Sequence, residues 1–231
     1  MATKTHKNWL VPLFAASALL LSACSTNVTV TGDYPSPLAK PIPYDVGIVF
    51  DDAFKDYVFT RDNIEIKLGD AQTRMYSNLF SGMFANSTLL ESREAATPDI
   101  DLVIVPNVEE IQIATPKDNR LKVYEVWIKY NMQVYDGDGS SIADWLMTCY
   151  GKTPTATLKS SARSLNLASV VALRDAGARM TTGFVRVPEV QGWLIRQAAR
   201  KRQQPAPATS DTPAASEPQT QTTVEGNHER G

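Results

Sequence analysis

Histidine is almost missing from this chain, and its absence excludes several kinds of site. The 231 residues contain two histidines, His6 and His228, which lie close to the two ends. A Ser-His-Asp triad, a Cys-His pair or a histidine-ligated metal site needs histidine inside the folded region. Most hydrolase and metalloenzyme functions are therefore excluded, and we expect no metal or other cofactor.

Cysteine and surplus positive charge are also scarce. The two cysteines, Cys24 and Cys149, are too few for a thiolate metal cage. The chain has 23 Lys and Arg residues against 25 Asp and Glu residues, so its net charge is −2. A nucleic-acid-binding domain would carry a basic surplus, so no nucleic-acid partner is expected.

No apolar run is long enough to cross a bilayer as a helix. The longest, residues 9–21, has 13 residues, whereas a spanning helix needs about 20. It follows Lys4 and Lys7 and ends before Ser22 and Ala23, which is the arrangement of an export signal. Residues 1–23 are therefore predicted to be a signal peptide.

The motif Leu-Ser-Ala-Cys at positions 21–24 resembles the bacterial lipobox without any departure. The resemblance implies that the thiol of Cys24 receives a diacylglyceryl group and that the leader is cut off before it. Acyl chains on Cys24 would then hold the protein on a membrane, and two or three chains anchor stably. Cys149 would be left without a partner for a disulfide. Ser25 stands where inner-membrane lipoproteins of the enteric type often carry aspartate, which favours the periplasmic face of the outer membrane.

Both flanks of the expected domain have unusual composition. Residues 24–44 contain four prolines and are predicted to be an extended tether, able to hold the domain about 60 Å from the lipid at roughly 3.1 Å per residue. Residues 201–231 are rich in Pro, Thr, Gln, Ala and Ser without any aromatic residue, which predicts a disordered tail. A single domain at 45–200 remains.

Hydrophobic periodicity predicts the elements of that domain. Residues 46–50 and 102–105 are short apolar runs rich in β-branched side chains, which predicts buried strands. Residues 108–114 continue the second strand beyond Pro106, and a proline at that position argues for a bulge or a sheet edge. Short strand-like pieces flank a polar turn at 61–63. A helix is expected from an N-cap at Asp70 to near Asn86, another at 167–184, and a last short helix starting at Pro188.

The clearest pattern is the alternation over residues 125–134. One side of this strand is apolar and the other is mostly polar, as in an antiparallel sheet with one face exposed to solvent. The apolar side carries Val126, Ile128, Tyr130, Met132 and Val134. The sequence Asp-Gly-Asp-Gly at 136–139 is typical of a tight turn, and residues 142–150 are predicted to form the second strand of the hairpin. The expected fold is α+β, a two-layer sandwich in which two helices cover one face of a mainly antiparallel sheet, in the order strand-helix-strands-helix.

Two patterns invite a catalytic or metal interpretation. The Asp-Gly-Asp-Gly segment resembles a calcium loop, but position 145, where that loop needs glutamate, is Trp145. Glu109 and Glu110 could each supply a catalytic acid, yet neighbours on a strand point to opposite faces and cannot work as a pair. We therefore expect that the protein is not an enzyme.

Three aromatic residues are the candidate partner-binding site. Trp127, Trp145 and Tyr135 are placed so that they could share the sheet face away from the helices, where an open aromatic patch would suit a partner protein, lipid or glycan. The alternative is that cross-strand aromatic packing simply stabilises the hairpin.

The layout is similar to small envelope lipoproteins of Gram-negative bacteria. The lipobox at 21–24, the helix at Asp70 after an opening strand and the hairpin at 126–150 resemble YajG-type lipoproteins and the auxiliary lipoproteins of ABC-type lipid transporters. The resemblance implies a non-catalytic binding or assembly accessory in envelope maintenance or transport, with an envelope protein or a lipid as its partner. Alternatives are a regulator that reaches a peptidoglycan synthase or secretion machine, and a carboxylate-dependent glycan-cleaving enzyme.

Overall fold

The computed structural model describes residues 25–154 and 160–203. The chain divides into two compact units, one ending at Leu194 and the next beginning at Ile195. The first unit contains all the strands of the described residues, and the described part of the second is the end of the last helix. The strands are β1 (Thr26–Thr29), β2 (Ile42–Val49), β3 (Val58–Arg61), β4 (Ile64–Lys67), β5 (Phe84–Leu90), β6 (Leu102–Ala114), β7 (Val123–Asp136) and β8 (Ser141–Pro154). The helices are α1 (Asp52–Lys55), α2 (Gly69–Met83), α3 (Ser161–Gly183) and α4 (Pro188–Gln203), with single 3₁₀ turns at Arg93–Ala95 and Phe184–Arg186.

The main sheet has five strands in the order β5-β2-β6-β7-β8. β2 runs parallel to both of its neighbours, whereas the longer β6-β7 and β7-β8 pairs are antiparallel. Because parallel strands are covered on both faces, the apolar run in β2 fits a position inside the sheet. The predicted α+β class is confirmed.

Helices α2 and α3 cover one face of the main sheet, here called the inner face. Tyr76 of α2 meets Tyr130 of β7 with ring centroids 5.3 Å apart. The Tyr130 hydroxyl donates to Gln72 Oε1 at 3.0 Å, and Gln72 Nε2 donates to the Phe54 carbonyl oxygen at 2.6 Å. α3 lies so close to β8 that Gly151 has no room for a Cβ atom against the Ala168 carbonyl oxygen. Buried hydrogen bonds and close packing thus join the two layers.

The polar turn predicted at residues 61–63 forms a hairpin between β3 and β4. Asp62 at its tip has a φ of 53°, the left-handed conformation that Asp tolerates in tight turns. β1 adds to β4 in parallel, which completes a second sheet of three strands.

The prediction of a tether over residues 24–44 is wrong for much of that range. Thr26–Thr29 is strand β1, and Val28, Val30 and Tyr34 are buried in the core. A four-residue strand between polar and Pro-rich segments has too weak a local pattern to be recognised, because it is stabilised by pairing with β4. The predicted cut before Cys24 lies outside the described residues. The predicted disordered tail, 201–231, begins too early, because residues 201–203 are the end of α4, and the rest of it lies outside the described residues.

The start and end of α2 also differ from the prediction. Leu68, not Asp70, is the N-cap residue, so Asp70 lies in the first turn, where a carboxylate still complements the helix dipole. The helix ends at Met83, three residues before the expected Asn86, and β5 begins at once at Phe84. The pairing of β6 with β2 ends at Ile104, so Pro106 lies where that side of β6 has no neighbouring strand, and the prediction of a sheet edge is confirmed. The bulge in β6 lies further along, between Val108 and Glu110.

Candidate functional site

The three predicted aromatic residues do not share one surface. Trp127 and Tyr135 lie on the outer face of the main sheet, away from the helices, as the prediction required. Trp145 is paired with Met132, whose side chain is buried on the inner face. A Cβ atom at Gly183 would lie 2.9 Å from the Trp145 ring, so this indole packs at the end of α3. The prediction that Trp145 lies on the face away from the helices is therefore wrong.

Tyr135 belongs to a small covered cluster rather than to an open patch. The connection between β5 and β6 folds over this end of the outer face and brings the guanidinium carbon of Arg93 to 4.4 Å from the Tyr135 ring centroid. That distance is typical of a cation–π contact. Tyr135 packs beside a second hydrophobic cluster formed by Val49, Ile100, Val103 and Val105.

Trp127 lies on the remaining part of the outer face, beside Tyr150 of β8. Their ring centroids are 5.3 Å apart with an interplanar angle of 35°. The Tyr150 hydroxyl donates to Glu125 Oε1 at 2.6 Å. Burial, together with the acceptor carboxylate of Glu125, raises the pKa of Tyr150 to about 12. The pair forms a fixed aromatic platform, bordered by a shallow cavity of about 170 Å³ beside Glu110, Gln112, Lys129 and Thr148.

The two glutamates considered as catalytic acids occupy exposed positions. Glu109 falls at the bulge of β6, and Glu110 lies opposite Lys129 of β7. Glu110 Oε1 accepts a hydrogen bond from Gln112 Nε2 at 2.6 Å. General acid catalysis needs a carboxyl group within reach of a bound substrate, and Glu110 borders the shallow cavity beside Trp127.

Cys149 is completely buried on the inner face of β8. Burial raises the pKa of its thiol to about 12. Because the thiolate is the nucleophilic form, this residue has the properties of a structural cysteine. Within residues 25–154 and 160–203, no cluster of His, Cys, Asp or Glu side chains is arranged to hold a metal ion.

A feature that the sequence reasoning missed is the loop between β6 and β7, residues 115–122. Asp118 Oδ2 accepts the Thr115 backbone N–H at 2.7 Å, and Asn119 Nδ2 donates to the Val123 carbonyl oxygen at 2.8 Å. These bonds brace the two sides of the loop. Within the loop Leu121 is 77 % exposed, between the basic residues Arg120 and Lys122. An exposed leucine between two basic residues was the available signal in the sequence.

The same loop lies beside the start of the fold. Thr26 donates its backbone N–H to the Asn63 carbonyl oxygen at 2.7 Å, next to the tip of the β3-β4 hairpin. From that hairpin Arg61 reaches across to the loop. Its Nη1 donates to the Ile113 carbonyl oxygen at 2.6 Å, and its Nη2 lies 3.1 Å from Asp118 Oδ2. Thr26 and the β6-β7 loop therefore belong to one end of the first unit.

An apolar groove of about 480 Å³ separates α2 from α3. It is lined by Met75 and Leu79 of α2, by Leu173 and Gly177 of α3, and by the segment 34–37. None of the helices in the described ranges is long and apolar enough to cross a membrane.

Comparison with known proteins gives structural likeness only. No family model and no curated protein matches the chain. A crystal structure from Xanthomonas campestris has 12% identity, a TM-score of 0.47 and coverage of 78% of this chain and 100% of the other. A minor lipoprotein from Acinetobacter baumannii has 12% identity, a TM-score of 0.37 and coverage of 62% and 91%, respectively. Lipoprotein B from Nitrosomonas europaea, described as uncharacterised, has 11% identity, a TM-score of 0.37 and coverage of 70% and 90%.

Proposed function

We propose that this protein is a bacterial envelope lipoprotein, anchored through acyl chains on Cys24, that serves as a non-catalytic binding or assembly accessory. The observation that carries the proposal is the lipobox at 21–24, which stands at the end of an export signal and directly before the fold. The first strand begins at Thr26. Removal of residues 1–23 would therefore leave every described element of the fold in place.

Placement at the periplasmic face of the outer membrane is part of the proposal. It is supported by Ser25, which follows the cysteine where an aspartate often marks retention at the inner membrane in enteric bacteria. Two or three acyl chains provide a stable anchor without any spanning helix.

The platform of Trp127 and Tyr150 is the proposed partner-binding surface. Aromatic side chains bury a large area at low entropic cost and are enriched where proteins meet. Around the platform the outer face is polar, with Gln112, Lys129 and Thr148 available as hydrogen-bonding groups. An aromatic surface surrounded by hydrogen-bonding groups suits recognition of an envelope protein or a lipid headgroup.

Two other functions remain as alternatives with weaker support. A regulator that reaches through the cell wall needs a long tether, but β1 and the buried residues after it occupy much of the supposed N-terminal tether. The tail after Gln203 is its remaining motivation, and full activity of a chain shortened there would remove it. A glycan-cleaving enzyme would depend on Glu109 or Glu110, and unchanged activity after Glu→Gln replacement at both positions would remove that function.

The test combines fractionation with photo-cross-linking in native membranes. Wild type should sediment with outer-membrane vesicles, and the Cys24→Ala variant, which cannot be acylated at that position, should not. A photoreactive amino acid at position 127 should give a reproducible adduct with an envelope component. The matched control is the same amino acid at position 89, because Leu89 is 61 % exposed and lies on β5 at the other edge of the sheet. Equal fractionation of both proteins, or equal adducts at both positions, would refute the proposal.

A further inference from the structure

The distance between the proposed anchor and the fold is very short. Only Ser25 separates Cys24 from Thr26, the first residue of β1. Two residues span at most about 7 Å even when fully extended. If Cys24 is acylated, which is the proposed function on which this inference rests, the end of the fold that carries Thr26 is held against the lipid headgroups.

The β6-β7 loop lies at that end, beside the exposed tip of the β3-β4 hairpin. The register pairs Thr26 with Ile64 and Ile64 with Arg61. Neighbouring strands lie about 4.8 Å apart, so these two steps span about 10 Å, and the Arg61 side chain then reaches Asp118 in the loop. The loop and Thr26 thus lie at the same end of the first unit.

The charges of the loop suit an anionic lipid surface. Its one acidic residue, Asp118, is already paired with Arg61, and Asp62 at the adjacent hairpin tip lies 3.8 Å from the Nε atom of Arg61. Within the described ranges, Lys117 and Arg120 form no ion pair with a carboxylate. Basic residues close to a membrane are attracted by the negative surface potential of anionic lipids.

The loop also presents an apolar side chain in a fixed position. Leu121 in the loop is 77 % exposed, although transfer of a leucine side chain out of water is favourable. The side chain of Asn119 forms hydrogen bonds with Thr115, which directly follows β6, and with Val123, the first residue of β7. A braced loop loses little conformational freedom when its tip enters another phase. Apolar residues that enter the headgroup boundary beside basic ones are typical of interfacial membrane contacts.

We propose that the β6-β7 loop is a second membrane contact, in which Leu121 enters the headgroup boundary of a phospholipid bilayer and Lys117 and Arg120 approach anionic phosphates. Together with the anchor at Cys24, this contact fixes the orientation of the domain. The β7-β8 turn then lies at the far end of the main sheet, away from the bilayer, because β7 runs from the loop to that turn.

The experiment uses the full-length, acylated protein reconstituted into vesicles of phosphatidylethanolamine and phosphatidylglycerol. The Leu121→Cys variant is labelled with a fluorophore whose emission shifts to the blue on leaving water. Labelling is specific because Cys149 is buried and the pKa of its thiol is about 12. The matched control is Leu89→Cys, since Leu89 is 61 % exposed. Leu89 of β5 pairs with Ile48 of β2, and Ile48 pairs on its other side with Ile104 of β6. Ile104 lies ten residues before Ala114, where the loop begins, so the control position is about 33 Å from the loop along the strand direction.

The expected result is a blue shift and quenching by spin-labelled lipid at position 121, with neither at position 89. Adding Lys117→Glu and Arg120→Glu to the labelled variant should remove most of the shift, whereas adding Lys40→Glu, at an exposed position just before β2, should leave it unchanged. Identical emission from positions 121 and 89 in a protein that floats with the vesicles would overturn the inference while leaving the proposed anchor intact. A wild-type protein that does not float with the vesicles would overturn both.

Discussion

Replacing Asn119 with alanine tests whether the β6-β7 loop is held rigid by its own side chain. Asn119 Nδ2 donates to the Val123 carbonyl oxygen at 2.8 Å, and the Val123 backbone N–H donates to Asn119 Oδ1 at 3.1 Å. A hydrogen bond of this kind contributes about 0.5–1.5 kcal/mol to stability. The same Nδ2 atom also lies 3.2 Å from the Thr115 carbonyl oxygen and 3.3 Å from Glu125 Oε2. Loss of the two bonds to Val123 alone should lower the free energy of local opening by about 1–3 kcal/mol, which raises the open population roughly 5- to 150-fold.

Hydrogen exchange measured by mass spectrometry on peptides that cover residues 115–123 checks this expectation. Because the amide of Val123 is protected by the bond that is removed, its exchange should accelerate by about the same factor. Asn131→Ala is the control, since Asn131 lies further along β7 and its side chain donates to Asp144 Oδ1 of β8 at 3.2 Å. Exchange in the loop that matches wild type would refute the reasoning. So would equal acceleration across the whole sheet, because it would indicate global rather than local opening.

Three further outcomes are expected. Tyr130→Phe leaves the buried Gln72 Oε1 without its donor and should cost about 1–3 kcal/mol of unfolding free energy. Thermal unfolding should then show a Tm lower by roughly 2–12 °C, and an unchanged Tm would contradict the buried bond. Burial raises the pKa of the Cys149 thiol to about 12, so iodoacetamide at about pH 8 should not alkylate Cys149 until the protein is unfolded. Rapid alkylation of Cys149 in the native protein would contradict its burial. The Thr115 backbone N–H, the Thr115 hydroxyl and then Arg61 hold the pKa of Asp118 below its usual value. The stabilisation is therefore present above about pH 4 and is lost as pH falls through the lowered pKa. A carbon-13 NMR titration should place the midpoint below that of a free aspartate, and a midpoint at or above it would contradict the loop geometry.

The parts of the fold that were predicted correctly are those with strong local signals. β7 alternates buried and half-exposed residues along its length, and the turn after it is rich in Asp and Gly. Such signals depend only on the period of the strand and on turn chemistry. The α+β class and the β7-β8 hairpin followed from them.

The missed elements depend on partners distant in the sequence. β5 follows α2 without a single turn residue, and Phe84 continues the helical spacing of Leu79 and Phe80. It becomes a strand because it pairs with β2. β1 is four residues long and likewise exists through its pairing with β4. Neither pairing leaves a mark in local periodicity.

The misplacement of Trp145 has the same origin. Side chains alternate between the faces of a strand, so the face is set by register. The register of β8 shifts between Val134 and Tyr135 of β7, just before the turn, and Trp145 then lies opposite Met132. Counting along the sequence cannot supply that shift. Likewise, the sequence shows Leu121 between two basic residues, but the position of its loop at the same end of the first unit as Thr26 follows from the contacts of the β3-β4 hairpin.

The lipid anchor at Cys24 can be tested by the mass of the intact mature protein, purified from its native membranes. We expect a chain that begins at Cys24 and carries a diacylglyceryl group and a further acyl chain, so that a single residue, Ser25, separates the lipid-bearing cysteine from the first strand. An unmodified chain, or one that begins at another residue, would contradict the lipid anchor, and the membrane contact proposed for the β6-β7 loop would lose its basis.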